Sequence, residues 1–359
     1  MNSKLPIFII AEAGSNWRMG DSKRDMKMAK TLIDVGSDAG ADAVKFQTYR
    51  SESVYVPNAG DSDYLSKSGI KESINKIFDD LSMPYEMIPE LYEYCNSKNI
   101  EFMSTPFSVE DAKQIDPYVN YHKIASYEIS HYRLIEFIAK TNKPTFLSTG
   151  GATIDEIEWA VNHFYKNGGI NITLLQTTAK YPAPLESLNI YSMGILKNNF
   201  NVSVGLSDHS IDPVIGPVCA TALGASVIEK HFTLNKKLPG PDHSFALDPN
   251  ELKKMVKAIR NCEKCLGLKE KIVQNDEIEL RDFAQRSIQC IKNISKDEIF
   301  LEGLNFEILR SGKCKKGMHP KFLENLEGKK STRSISIGDG ILESDYEYHS
   351  NKTHEWVDQ

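Results

Sequence analysis

The sequence lacks the features of a membrane protein and of a general nucleic-acid-binding protein. No apolar run approaches the roughly 18 residues of a membrane-spanning helix. The first apolar stretch, IFIIAEA, reaches a charged residue at Glu12, so it predicts a strand rather than a signal peptide. The 359 residues include 43 Lys and Arg against 49 Asp and Glu, a net charge of −6, whereas nucleic-acid-binding domains usually carry a basic excess. We therefore expect the protein to bind neither nucleic acid nor a membrane.

The cysteines show no spacing typical of a disulfide framework or a zinc site. Six are scattered along the chain, at Cys95, Cys219, Cys262, Cys265, Cys290 and Cys314. Cys262 and Cys265 make a Cys-x-x-Cys pair, which in other settings binds zinc or carries redox chemistry. No second such pair accompanies it, and Cys262 continues a helical apolar stripe through Leu252, Met255 and Ile259. We interpret the cysteines as structural thiols in a reducing compartment, the cytoplasm.

A glycine-rich dinucleotide-binding loop is also missing after the first strand, which disfavours a doubly wound sheet. Between residues 5 and 270, short apolar runs alternate with longer amphipathic stretches such as 22–40 and 153–169. The eight strand candidates are IFIIAEA, DAVKFQT, IEFMSTPF, YHKIAS, PTFLSTG, NITLLQTT, VSVGLSDH and ASVIEKHF. Eight strands alternating with helices over about 250 residues are typical of a (β/α)₈ or TIM barrel. We predict this α/β fold for residues 1–267.

The sequence changes character after Gly267. Residues 268–282 are charged and weakly patterned, which predicts a linker. From 283 to 359, the short β-like segments RSIQCIKNI, FEILRSG and STRSISIGDGI are separated by Gly- and Lys-rich turns, so we predict a small, mostly β domain. Residues 310–333 carry eight Lys and Arg against two Glu. This charge is either a solvated surface or a group of cations that acts at a partner's anionic site.

Polar side chains follow the predicted strands of the barrel. The carboxyl ends of the strands build the active site in barrels of this type. These ends supply Glu12, Lys45, Gln47, Thr105, Lys123, Ser126, Glu128, Ser148, Thr177, Ser207, His209 and His231. A single Ser or Thr at a strand end is usually a structural group. Eight polar strand ends that converge on one mouth predict a functional site.

The residue types at this mouth indicate an anion and a metal ion. Two lysines that face one cavity require a counter-anion, and lysine with neighbouring hydroxyls suits phosphate or carboxylate. His209 and His231 end neighbouring strands and could share a first-row divalent cation, with His243 as a less constrained third contact. A small phosphorylated acid fits this set of side chains.

Nine short motifs of the barrel identify a family. They are AEAGSN, ADAVKFQT, STPF, KIAS, LSTGG, YPAP, GLSDHS, VIEKHFTL and GPDHS. In their order and spacing the chain resembles the sialic acid (nonulosonic acid) synthase family, which includes N-acetylneuraminate synthase. KIASYEI, AKYPAP, DHSFAL and GMHPKFLE resemble most the branch of spore-coat polysaccharide biosynthesis, although KIASYE and GLSDHS are also similar to pseudaminic acid synthases. The C-terminal region resembles the family's SAF domain, which shares the fold of type III antifreeze proteins.

The resemblance implies a transferase that condenses phosphoenolpyruvate with an open-chain N-acylated hexosamine. Carbon 3 of the enol attacks the sugar aldehyde, water adds at carbon 2, and the C–O bond to phosphate breaks, leaving a nine-carbon 2-keto sugar acid. The residues implied to bind phosphoenolpyruvate are Lys45, Gln47, Thr105, Lys123, Ser126, Ser148 and Ser207. Those implied to orient the sugar and the metal-bound water are Glu12, Glu128, Tyr181 and Asp242. His209 and His231 would bind Mn²⁺, with Mg²⁺ or Co²⁺ as alternatives, and the metal would polarise the aldehyde.

The resemblance also implies a domain-swapped homodimer. In family members the SAF domain covers the barrel of the partner subunit, and an Arg of this domain contacts the acyl group of the sugar. Arg310 stands at that position in this chain. A cover of this kind excludes water and strengthens the polar contacts beneath it.

The chain departs from the family pattern at positions expected to face the sugar. Trp17 interrupts the usual Asn-His-Asn-Gly pattern, Gln176 replaces a common His, and Ala179 replaces a polar residue. These departures concern the sugar and not the reaction, and the resemblance implies N-acetylmannosamine or a relative as the acceptor. A 2,4-diacetamido-trideoxyhexose of the pseudaminic or legionaminic type is the alternative.

Two further interpretations stay open from the residues alone. A metal-dependent aldolase or sugar isomerase on the same barrel would need the metal but neither Lys45 nor Lys123. A non-catalytic scaffold with an SAF-like domain would need no polar mouth at all. The intact set of Glu12, Lys45, Lys123, His209, His231 and Asp242 disfavours the scaffold.

Overall fold

The structure is a computed structural model that describes residues 6–61 and 72–347. The chain divides into two compact units, Met1–Gly267 and Leu268–Gln359. Within the described residues, no helix is long and apolar enough to cross a membrane.

The first unit is built on eight parallel strands, which coincide with the predicted apolar runs; the first strand alone extends one residue beyond its run, to Gly14. They are β1 (Phe8–Gly14), β2 (Ala43–Thr48), β3 (Glu101–Pro106), β4 (His122–Ile124), β5 (Thr145–Ser148), β6 (Ile172–Thr177), β7 (Ser203–Asp208) and β8 (Val227–His231). Their order in the sheet is β3-β2-β1-β8-β7-β6-β5-β4, so the first strand pairs with both the second and the eighth. In the described part of the chain no ladder joins β3 to β4. The predicted barrel is therefore confirmed, as a sheet that curls to near closure, and the doubly wound alternative is wrong.

Helices follow the strands around the barrel. They are α1 (Ser22–Ala39), α2 (Ser51–Val54), α3 (Ile74–Leu81), α4 (Met87–Ser97), α5 (Val109–Ile115), α6 (Tyr132–Lys140), α7 (Ile154–Lys166), α8 (Ser192–Phe200), α9 (Ile215–Ala222) and α10 (Pro249–Leu266), with 3₁₀ turns at Asp116–Tyr118, Ser126–Ser130 and Leu185–Ser187. The long helices begin and end at the residues that favour this. Asp21 caps the start of α1 by accepting from the amide of Arg24, and Gly40 ends it with φ of 82°. Reciprocal capping boxes begin α7, at Thr153, and α10, at Asp248.

Two apolar layers form the core of the first unit. The outer layer packs the helices against the strands and includes Ile9 and Ala11. The inner layer lies inside the barrel and consists of Ile10, Ala43, Met103, Phe146, Leu175 and Val227. Since successive strand residues point to opposite faces, the residues two positions beyond the inner layer face the carboxyl end of the barrel.

The second unit has its own small core around an antiparallel pair, β9 (Arg286–Cys290) and β10 (Phe306–Arg310). Its helices are α11 (Ile278–Ala284) and α12 (Leu323–Leu326), with 3₁₀ turns at Asn275–Glu277, Pro320–Phe322 and Glu343–Asp345. Ile288, Phe300, Phe306 and Ile341 are fully buried in this core. The segment 331–341, predicted as β-like, makes isolated bridges such as Ile294 to Ile335 rather than a strand. The predicted linker 268–282 contains a 3₁₀ turn and the beginning of α11.

Candidate active site

The alternation along β8 explains a charged run inside a barrel strand. Val227 belongs to the inner apolar layer, and Glu229 and His231 follow it on the same face. Lys230 points to the opposite face, where its ammonium lies 2.7 Å from Asp208 Oδ2 and 2.6 Å from the carbonyl of Ser210. One strand thus carries a buried structural ion pair on one face and functional candidates on the other.

The polar strand ends line a cavity of about 780 Å³ at the carboxyl end of the barrel. The predicted site residues that line it are Glu12, Lys45, Gln47, Thr105, Lys123, Ser126, Glu128, Ser148, Thr177, Tyr181, Ser207, His209, His231 and Asp242. Arg310 belongs to the second unit, where it is exposed at the end of β10. His243 does not line the cavity. It is buried, with Nδ1 2.7 Å from the hydroxyl of Thr233, so it does not supply a third contact at this cavity.

The two lysines of the cavity lie in a cluster of carboxylates. We call Lys45, Lys123, Glu12 and Glu229 the floor of the cavity. Lys45 Nζ is 2.6 Å from Glu12 Oε2 and 3.6 Å from Glu229 Oε2, and it donates to the hydroxyl of Thr105 at 2.8 Å. Lys123 Nζ is 3.8 Å from Glu229 Oε1. The prediction that these lysines require an external counter-anion is therefore wrong, because the chain supplies carboxylates of its own.

Glu229 is the central site residue that the sequence analysis missed. It is 4% exposed, lies between both lysines and accepts from the hydroxyl of Ser207 at 3.0 Å. The signal was present in the sequence, since Glu229 shares the strand parity of His231. The Glu-Lys-His run, with Lys230 between them, obscured this parity.

Burial and mutual charge set the protonation of the floor. Burial lowers the pKa of Lys123 to about 8, although the charge of Glu229 opposes this shift. Burial alone would raise the pKa of Glu229, but the charges of Lys123 and Lys45 outweigh it and lower the value to about 2. Burial raises the pKa of Glu12 to about 7, against the charge of Lys45. At neutral pH Lys45 and Lys123 are therefore ammonium groups and Glu229 is ionised. Glu12 is close to its titration point.

Glu128, which follows β4, is a second carboxyl with a raised pKa. Burial raises the pKa of Glu128 to about 7, opposed by the charge of Lys123. Among the described residues, Glu128 Oε2 and the hydroxyl of Ser148 are buried without a hydrogen-bond partner. Ser126 accepts from the amide of Gly150 at 3.1 Å. Buried polar atoms are normally satisfied, so the unpaired atoms at this cavity are suited to a ligand.

The two site histidines are neutral imidazoles at the ends of neighbouring strands. Their ring centroids are 5.7 Å apart, and burial lowers the pKa of each to about 3. Nδ1 of His209 lies 2.8 Å from the carbonyl of Thr178, an arrangement that leaves Nε2 with its lone pair. Nδ1 of His231 is buried and has no partner within the described residues. Neutral imidazoles of this kind suit a divalent transition metal.

The protein donors alone do not complete a coordination shell. In residues 6–61 and 72–347, no group of three or more His, Cys, Asp or Glu side chains has the geometry to hold a metal ion. Two histidines could therefore hold a metal only if water or substrate supplies the other ligands. Asp242 lines the same cavity. Its Oδ2 accepts two hydrogen bonds from Ser15, one from the hydroxyl at 3.0 Å and one from the backbone amide at 3.3 Å.

Aromatic rings pack against the histidines. The ring of Tyr181 lies 4.1 Å from that of His209 and 5.2 Å from that of Phe245, and Phe245 is 5.2 Å from His231. Phe245 is 3% exposed. Tyr181 and Phe245 thus limit the rotation of both imidazoles.

Of the positions that depart from the expected family pattern, only one lines the cavity. Trp17 is 1% exposed within the barrel core, and Gln176 donates to the carbonyl of Leu188 at 3.1 Å. Ala179 does line the cavity. The prediction that Trp17 and Gln176 face the sugar is wrong, because Trp17 is a core residue and Gln176 points to the outer face of β6.

The chain is similar to a known protein family and to a relative of known structure. The model of the NeuB family matches residues 32–271 of the chain. The spore coat polysaccharide biosynthesis protein SpsE of Bacillus subtilis is 39% identical over 98% of this chain and 96% of its own length. Its crystal structure superimposes with a TM-score of 0.61, covering 96% of each chain at 37% identity.

Two relatives from Campylobacter jejuni are named for specific products. A pseudaminic acid synthase is 38% identical, with 96% of this chain and 98% of the relative covered. An N,N'-diacetyllegionaminic acid synthase is 40% identical, with 82% of this chain and 88% of the relative covered.

Proposed function

The chain belongs to the NeuB family of sialic acid (nonulosonic acid) synthases, and we propose that it condenses phosphoenolpyruvate with an open-chain N-acylated hexosamine. The products are a nine-carbon 2-keto sugar acid and phosphate. The observation that carries this proposal is the convergence of Lys45, Lys123 and two neutral histidines on one cavity. An anion and an electrophilic aldehyde could be held side by side there.

Phosphoenolpyruvate would bind at the lysines and the ring of polar side chains. We assign to it Lys45, Gln47, Thr105, Lys123, Ser126, Ser148 and Ser207. The ammonium groups supply charge for phosphate and carboxylate, and the unpaired hydroxyl of Ser148 can donate to either. Glu229 holds both lysines and favours their protonated forms. It is therefore a positioning residue for the anion site.

The sugar would lie above the phosphoenolpyruvate, with its aldehyde next to the histidines. Glu12, Glu128, Tyr181 and Asp242 line the same cavity, and we assign them to orienting the hydroxyl groups of the sugar. With a pKa of about 7, Glu128 can hold a proton at neutral pH and release it to the aldehyde oxygen as C3 of the enol attacks. Water then adds at C2, and the C–O bond to phosphate breaks.

His209 and His231 would hold a divalent metal ion, which we propose to be Mn²⁺. A bound ion of this kind polarises the carbonyl of the aldehyde. The protein's own part is to present two neutral nitrogens from adjacent strand ends. Tyr181 and Phe245 keep these rings in place.

We also propose that the second unit is an SAF domain acting in a domain-swapped homodimer. Arg310 is exposed at the end of β10, beside a stretch of excess positive charge. Contact of Arg310 with the acyl group of a sugar in the partner's barrel would give this charge a function.

The alternative acceptor is a 2,4-diacetamido-trideoxyhexose. It is supported by the relatives named as pseudaminic and N,N'-diacetyllegionaminic acid synthases. N-acetylmannosamine and these sugars share the aldehyde and the N-acyl group, so the assigned residues would serve either substrate.

The test of the proposed function is release of phosphate from phosphoenolpyruvate with Mn²⁺ and one acceptor at a time. The acceptors are N-acetylmannosamine, its 6-phosphate and the 2,4-diacetamido-2,4,6-trideoxy sugars of mannose and altrose. We expect release with at least one acceptor and a product whose mass corresponds to sugar plus pyruvate. Folded, metal-loaded protein that releases no phosphate with any of them would contradict the proposal.

Matched variants separate the parts of the proposal. Lys45→Ala and Lys123→Ala should each abolish release, whereas a metal-dependent aldolase or isomerase would keep its turnover of the sugar alone. His231→Ala should reduce the Mn²⁺ bound per chain, measured directly by mass spectrometry of the metal. Unchanged Mn²⁺ content in His209→Ala and His231→Ala would place the metal elsewhere.

A further inference from the structure

Helix α3 turns its apolar stripe toward the active-site cavity. Its residues Ile74, Ile77, Phe78 and Leu81 recur at helical spacing and all line the cavity, together with Val54 and Tyr55 from the preceding segment. We call these six residues the apolar wall. The charged residues Lys76, Asp79 and Asp80 of the same helix are exposed and do not line the cavity. An apolar face that borders a substrate site contributes to the site as well as to the fold.

The apolar wall is separate from the barrel core. Ile74 and Ile77 form a small cluster with Tyr55, Phe78 and Leu81, distinct from the two layers that hold the barrel together. A helix that merely covered the barrel would bury this stripe against the outer layer. The wall is thus surplus to what the barrel needs for its own packing.

The apolar wall is nevertheless held firmly in place. The ring of Phe78 lies 4.8 Å from that of Tyr49 and 4.9 Å from that of Tyr55. Arg18 anchors the helix to the loop after β1, because its guanidinium lies 2.7 Å from Asp80 and 2.6 Å from Asp25. These contacts hold the wall against Tyr49 and against the loop after β1.

The position of the apolar wall in the barrel indicates which carbon of the sugar would contact it. It belongs to the loop that follows β2, at the open end of the barrel, whereas Lys45, Lys123 and Glu229 lie on the strands. Condensation joins the aldehyde carbon to phosphoenolpyruvate, so C1 must lie near the charged floor. C6 is the carbon furthest along the chain from C1. It therefore reaches the loops, where the wall and Glu128 line the same cavity.

We propose, on the basis of the synthase function proposed above, that the apolar wall receives C6 of the acceptor and selects a sugar whose C6 is a methyl group. Transfer of a methyl group from water to an apolar surface is favourable. A hydroxyl buried there loses its hydrogen bonds to water and finds few replacements. The hydroxyl of Tyr55 is the one polar side-chain atom among the six residues, and none of the six carries the cation that a 6-phosphate would need.

The test compares two acceptors that differ only at C6. These are N-acetylmannosamine and 2-acetamido-2,6-dideoxymannose. We expect kcat/KM to favour the 6-deoxy sugar by on the order of 10-fold, within the range that an apolar pocket discriminates. Val54→Gln should reduce this ratio, because it places an amide in the wall. Val56→Gln is the matched control, since Val56 is 72% exposed and does not line the cavity, and it should leave the ratio unchanged.

The outcomes distinguish this inference from the function on which it rests. Turnover with an equal preference, or with a preference for the hydroxymethyl sugar, would overturn the role of the wall and leave the synthase intact. An unchanged ratio in both Val54→Gln and a second variant, Leu81→Gln, would do the same if both melt like the parent protein. No phosphate release with any N-acylated hexosamine would overturn the proposed function, and this inference with it.

Discussion

At the scale of single residues, the chemistry of this protein depends on which face of a strand carries a charge. Glu229 and Lys230 are neighbours in sequence, yet Glu229 faces the cavity and Lys230 is paired with Asp208 on the other side. Lys123 shares Glu229 with Lys45, so each charge at the floor depends on the others. Burial lowers the pKa of Lys123. Burial acts in the same direction on Lys45, but the charges of Glu12 and Glu229 outweigh it and raise the pKa of Lys45. Lys123 therefore loses its proton at a lower pH than Lys45.

The first prediction follows from the lowered pKa of Lys123. The ammonium form binds an anion, and it disappears as the pH rises through about 8. We expect kcat/KM for phosphoenolpyruvate to fall about 10-fold per pH unit once the pH exceeds this value, as for loss of a single proton. A pH profile between 6 and 10 measures this directly.

Lys123→Arg is the control for this assignment. A guanidinium stays charged throughout the range, so the variant should lose the alkaline decline even if its activity is lower. A decline that persists in Lys123→Arg would assign the titration to another group.

At the scale of elements, the barrel depends on close approach between neighbouring strands. Gly205 of β7 has no room for a side chain: an added Cβ would lie 2.4 Å from the carbonyl oxygen of Val227 and 2.8 Å from Leu175. The backbone of β8 cannot yield without disturbing its ladder with β7. The same two strands carry His209 and His231 at their ends, so their spacing also sets the separation of the imidazoles.

The second prediction concerns this contact. Gly205→Ala should lower the free energy of unfolding by about 1–3 kcal/mol, the usual cost of overpacking a core. Thermal or urea unfolding measures the change. An unchanged stability would show that the two strands can separate without cost.

A glycine in an open position provides the opposite control. Gly194 lies in helix α8, and an added Cβ there meets nothing within 4 Å. Gly194→Ala should raise stability by roughly 0.5–1 kcal/mol, because alanine favours the helix and restricts the unfolded chain. Opposite signs for the same substitution would exclude a general effect of replacing glycine.

At the scale of the whole molecule, two units with separate cores are joined in one chain. The first contains the cavity, and the second contains Arg310 on an exposed strand end. The proposed swapped dimer is what would connect Arg310 to catalysis. It also predicts that the second unit affects sugar binding without touching phosphoenolpyruvate.

The third prediction tests this connection. Arg310→Ala should raise the KM of the sugar by on the order of 10-fold, the effect of losing a hydrogen bond to a charged group. The KM of phosphoenolpyruvate should change little. Lys296→Ala, another exposed cation of the second unit, should change neither value. An unchanged KM for the sugar in Arg310→Ala would count against the swapped cover.

Much of the barrel was predictable because its signals are local. Apolar runs such as IFIIAEA and PTFLSTG coincide with β1 and β5, and the polar residue at the end of each run lines the cavity, as Glu12 and Ser148 do. The predictions failed where a side chain's surroundings come from distant segments. Trp17 was expected at the sugar site and is a core residue, and His243 was considered as a third polar contact near the two histidines and is bonded to Thr233.

The sequence by itself determined the eight-strand pattern, the parity that separates Lys230 from its neighbours, and the family motifs. These follow from periodicity along the chain, which each strand carries independently. Only the tertiary structure decided that Glu229 joins Lys45 to Lys123, and that α3 turns its apolar stripe to the cavity. Such partners come from strands and loops far apart in sequence, and contact between them depends on how the barrel curls.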